Sequence, residues 1–119
     1  MVARETRINA AVALAVAAGV TFAPTPFLRL FGIDAAEVTG AARFGWRLFA
    51  VRNVWVAVRA LQGDPSATGT FLPVQLMDQI VFWQAYRARS VPRRAPLMAA
   101  ATSGLIIALE LRRTARTGR

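Results

Sequence analysis

The chain contains no cysteine and no histidine. Thiol nucleophiles, disulfides, imidazole bases and nearly every transition-metal site are thereby removed, so neither a metal nor a cofactor is expected. Lysine is missing as well. All fifteen basic residues are Arg, a side chain that stays ionised and grips phosphate in a bidentate fashion. Acids are scarce: six of them oppose the fifteen Arg and leave a net charge of +9. Such a charge raises the question of nucleic acid. However, the Arg residues sit at the ends of apolar segments or inside them, without the alternation of aromatic and basic residues that makes a nucleic-acid platform. No nucleic-acid partner is expected, and anionic lipid headgroups suit the terminal Arg clusters better.

What the chain has is apolar length. At 119 residues, 55% of them hydrophobic, it is one domain. Ile8 to Leu28 carries no charge, and about 20 such residues suffice to cross a hydrocarbon core. Arg4 and Arg7 in front of this run also give it the make-up of a secretory signal, but the later segments are equally membrane-like. Pro24 and Pro26 predict an end or kink, leaving Phe27 to Phe31 as a short interfacial piece. Asp34-Ala35-Ala36-Glu37 has the form of a capping box and predicts a second helix from about Ala35 to Leu61. After the turn at Gly63-Asp64-Pro65, a third stretch runs to Tyr86 with Pro73 bending it or marking its start. A loop rich in Arg (Arg87, Arg89, Arg93, Arg94) precedes the fourth stretch, Leu97 to Leu111. Its small residues at four-spacing, Ala99 with Ser103 and Ala100 with Gly104, suit close helix packing. The expected architecture is all-α: an integral membrane, antiparallel four-helix bundle with helices at about 8–24, 35–61, 66–87 and 96–112, multi-pass in a bacterial cell membrane.

Two charges disturb this picture. Arg52 falls near the middle of the second stretch and Asp78 near the middle of the third. Charges at that depth cost about 2.5–3.5 kcal/mol each on insertion scales and point inward. A short turn joins the two helices, so Arg52 and Asp78 are expected at the same depth and facing one another. Asn53, Gln75 and Gln79 satisfy what the pair leaves over, and Arg47 lies too deep to reach water easily. One reading makes this cluster a structural ion pair that fixes helix register. The other makes Arg47, Arg52, Asn53, Gln75, Asp78 and Gln79 the lining of a cavity for a small lipophilic or anionic ligand, with Arg as the anion clamp.

The segments Phe22-Ala23-Pro24 and Leu30-Phe31-Gly32-Ile33, the run Arg47-Leu48-Phe49-Ala50-Val51-Arg52-Asn53, and Asp78 together resemble motifs of the DoxX-like and DUF4267/DUF4345-type proteins, small four-helix bacterial membrane proteins. Ala50 departs from the Gly usual at that place in the family. The resemblance implies a four-helix membrane fold and little about activity. The function expected is that of a membrane binding or accessory protein, with lipids around it and a homo-oligomer or larger membrane complex as possible assemblies. Two alternatives stand beside it. One is a membrane enzyme acting on a lipophilic small molecule, with Asp78 as the catalytic acid/base. The other is a small proton-coupled exporter, disfavoured because the first helix carries no membrane-embedded acid. Trp46, Trp55 and Trp83 are expected as packing or interface anchors, Glu110 as a surface partner of Arg113, and Arg112, Arg113, Arg116 and Arg119 as a lipid-facing tail.

Overall fold

The computed structural model describes residues 2–117, and these are all-helical. Helix α1 spans Arg4–Phe22 and α2 spans Pro24–Leu30. Pro24 ends the first and occupies the opening turn of the second, where its missing N–H costs nothing. Gly32 follows with φ +85°, a left-handed conformation that strains any residue with a Cβ. The chain then makes a single 3₁₀ turn, Ala35–Glu37.

The second long helix begins later than its apparent capping box. Asp34 makes no side-chain cap. Instead Val38 turns inward to 8% exposure, and Thr39 restarts the chain as N-cap, its hydroxyl accepting from Ala42 N–H at 3.1 Å. Burial of one Val outweighs continuity of the helix, so α3 spans Gly40–Leu61. Helix α4, Pro65–Ala88, is capped by Asp64, whose Oδ1 accepts from Ser66 N–H at 2.9 Å. It runs through Pro73 and stops at Arg89. Helix α5, Arg94–Thr117, completes the chain.

The four long helices pack as two close pairs, α1 with α3 and α4 with α5. Alanines make the first seam: Ala10, Ala13 and Ala17 of α1 meet Ala50, Ala57 and Ala60 of α3, side chains small enough to let two backbones approach. In the second seam the Gln79 amide donates to Ala100 O at 2.9 Å, and the Ser103 hydroxyl reaches Gln75 O at 3.4 Å. The pairs join along α1 and α5, which run antiparallel. The α3–α4 contact is of the same modest extent as the α1–α5 one, so the two close pairs meet loosely on both sides. The bundle is therefore a fork, closed at the Gly63 turn and open toward the end that carries α2.

Among the described residues, all charged side chains but two lie at the ends of the bundle. Arg4, Glu5, Arg7, Arg59, Asp64, Glu110, Arg112, Arg113 and Arg116 lie at the end with the Gly63 turn. Arg29, Asp34, Glu37, Arg43, Arg47, Arg87, Arg89, Arg93 and Arg94 lie at the other. Only Arg52 and Asp78 stand between. The molecule is 48 Å long and 28 by 18 Å across. Among the described residues one helix, over Arg94–Arg116, is by length and hydropathy alone long and apolar enough to cross a membrane.

Candidate functional site

The fork between the helix pairs encloses a cavity of about 590 Å³. Phe71 and Ile106 form its floor near the Gly63 turn, and Phe27 and Leu28 of α2, with Phe31 just after it, roof the far end. The roof is set by α1. Phe27 lies so close over Gly19 that a Cβ there would overlap its ring, and Phe27 in turn meets Phe31 with ring centroids 5.3 Å apart. The position of the mouth follows from which lining residues are also exposed: Ala41, Gly45 and Arg52 on α3, and Val81 on α4. The cavity thus opens sideways between α3 and α4, on the flank of the bundle.

Of the six residues expected at the polar centre, four share this cavity. Arg52 and Asn53 line it from α3, and Gln75 and Asp78 from α4; Arg52 and Asp78 are its only charged lining. Their depth is common, but no ion pair within 4 Å joins them among the described residues. Arg52 leans instead over the Phe49 ring, 5.6 Å from its centroid. The remaining two residues belong elsewhere. Arg47 is exposed on the outer surface of α3, close enough to the helix end to extend its head to water. Gln79 faces α5, donating to Ala100 O and accepting from Trp83 Nε1 at 2.9 Å.

A double-mutant cycle of Arg52→Leu and Asp78→Leu, read by thermal unfolding in detergent, is expected to show a coupling below about 1 kcal/mol, as for charges that do not touch. A coupling of several kcal/mol would instead mean a closed ion pair.

The tightest polar cluster lies at the opposite end, where α1 meets α5. Asn9 (0% exposed) donates to Glu110 Oε1 at 3.3 Å and to Ile106 O at 3.4 Å. Glu110, 1% exposed, also accepts from Arg113, with a shortest contact of 3.0 Å. One turn outward, buried Glu5 accepts from Arg116 at 2.6 Å and lies 3.7 Å from Arg112. The Arg113 partner expected for Glu110 is present; Glu110 itself is buried, while the Arg113 side chain keeps 18% exposure. Arg112 and Arg116 reach the buried Glu5 while their own side chains stay 69% and 52% exposed; Arg119 lies outside the described residues. The sequence signal was faint: Glu5 and Asn9 at i, i+4 on a helix otherwise without charge beyond Arg7. It gains meaning only once α5 is laid alongside.

The three tryptophans divide. Trp46 lines the cavity and meets Phe49 edge-on at 5.7 Å. Trp55 stands exposed under Arg59 at 5.8 Å, and Trp83 packs on Tyr86 at 5.6 Å. No protein-family model, curated protein or solved structure matches the chain; the likeness to DoxX-like proteins rests on the residues quoted for it.

Proposed function

We propose that the protein is a multi-pass membrane bundle of the DoxX-like kind that holds a lipophilic small molecule between its helix pairs, as a binding or accessory protein. The cavity carries this reading. It is apolar except for Arg52, Asp78 and a few amides and hydroxyls, and it opens on the flank of the bundle, a mouth suited to a ligand arriving from a bilayer. The outer surface supports a lipid setting. Phe44, Leu48, Val51 and Trp55 form one exposed stripe along α3, each at least 60% accessible, and Leu76, Met77 and Ile80 continue the apolar surface on α4. An apolar surface of that extent marks a membrane or partner contact. Hydropathy alone undervalues α3 and α4 because their polar residues face the fork, the α5 seam or the helix ends.

The test uses fluorescence of Trp46 in a Trp55→Phe/Trp83→Phe background, with a brominated long-chain alcohol as quencher in detergent. Saturable quenching is expected. Ala99→Phe, which fills the cavity from α5, should weaken it at least tenfold without loss of folding. Quenching that never saturates, or that ignores Ala99→Phe, would remove the cavity as the site.

A further inference from the structure

The loop between α4 and α5 has its own pocket. Arg89, Ser90, Pro92 and Arg93 line it, with Glu37 on the facing rim, and its volume is about 440 Å³. Val91 lines this basic pocket and also the apolar cavity. One side chain is thus the shared wall of a charged recess at the end of the bundle and an oily recess inside it.

The loop is held with some care. Arg94 donates to Arg29 O at 2.7 Å, tying the start of α5 to α2. Gly32 comes so close that a Cβ would lie 3.3 Å from Arg94 Nε and 3.7 Å from Pro92 Cβ. Arg93 is set by the Tyr86 ring, its guanidinium carbon 4.7 Å from the centroid. Arg89 ends α4 in the left-handed region, at φ 53° and ψ 34°, the place where helices ordinarily use Gly. An Arg kept there against backbone preference is a pointer to use.

Charge complementarity selects the occupant. At the termini end the acids Glu5, Asp64 and Glu110 each hold an Arg. At the loop end seven Arg face only Asp34 and Glu37, and no ion pair among the described residues engages any of the seven. The larger share of uncompensated charge therefore lies at the loop end, where seven Arg face two acids against six Arg and three acids at the other.

We infer that the basic pocket and the apolar fork are two halves of one site for an anionic phospholipid. Its phosphate sits on Arg89 and Arg93, and an acyl chain passes Val91 into the fork. Arg supplies the fork of donors that a phosphate accepts, and Glu37 on the rim accepts from headgroup hydroxyls. The inference rests on the cavity reading above and adds the headgroup, its charge and its direction of entry.

The test titrates two lysolipids with the same brominated acyl chain, lysophosphatidylglycerol and lysophosphatidylcholine, against Trp46 fluorescence. The wild-type pocket is expected to prefer the glycerol lipid at least tenfold. Arg89→Gly/Arg93→Ala should weaken that lipid roughly 10- to 30-fold, at about fivefold per Arg, and abolish the preference. Arg89→Lys/Arg93→Lys should restore part of it. Because Gly suits the left-handed position, Arg89→Gly alone should not lower the melting temperature while it weakens the anionic lipid. Equal binding of the two lysolipids, or a preference that survives Arg89→Gly/Arg93→Ala, overturns the headgroup assignment and leaves the cavity reading standing. If neither lysolipid quenches saturably, both readings fall together.

Discussion

Glu110→Leu is expected to destabilise the bundle by about 3–5 kcal/mol, the usual cost of removing one partner from a buried charge cluster. Glu110 is the acceptor for both Asn9 and Arg113, so its loss leaves an amide and a guanidinium in the α1–α5 seam without their carboxylate. The Asn9 Oδ1 already lacks a donor, so the cluster carries one unmet polar atom before any substitution. Glu110→Gln should cost less, since an amide oxygen still accepts from Asn9 while the charge on Arg113 loses its counterpart. The combination Asn9→Leu/Glu110→Leu/Arg113→Leu should recover much of the loss, as all-apolar replacements of buried ionic groups often do. Thermal unfolding in detergent checks all three. A loss below about 1 kcal/mol for Glu110→Leu would show that the cluster is solvated in the folded protein.

Phe71→Ala is the second large effect, at about 3–5 kcal/mol for a buried Phe reduced to Ala. Phe71 is 4% exposed. It belongs to the core cluster with Ala10, Ala13, Ala57, Ala60 and Ile106, and also to the cavity floor. It stands where the fork closes, and the surrounding alanines are too short to fill its place. The void should therefore merge with the cavity and lengthen it. Stability is expected to fall while longer-chain ligands gain affinity relative to shorter ones. Unfolding curves and a chain-length series of brominated alcohols measure both. A fall in stability with an unchanged chain-length profile would separate the floor from the site.

The helices were legible because their signals are local. Pro24, the Gly63-Asp64-Pro65 turn and the paired small residues of the last helix each act within a few residues. The break before Gly40 was not legible, since Asp34 and Glu37 match a capping box by type, and only the burial of Val38 shows that the chain turns away. Depth was also readable: Arg52 and Asp78 do lie opposite across one space. Distance was not, because it depends on how far two helices splay, and that is set by alanines on a third helix pulling α3 toward α1. For the same reason Gln79 could not be assigned to α5 rather than to the fork. Face spacing tells which residues lie together on one helix and says nothing of the neighbour they meet.

The Asn9–Glu110 and Glu5–Arg116 contacts join positions 101 and 111 residues apart. A chain is synthesised from its N-terminal side, so Glu5 and Asn9 are made about a hundred residues before their partners. Throughout synthesis the first helix carries two polar groups with nothing to hold, and the α1–α3 hairpin, however well its alanines fit, is unfinished. Only when the turns of α5 that carry Glu110 and Arg116 arrive does the α1–α5 seam close.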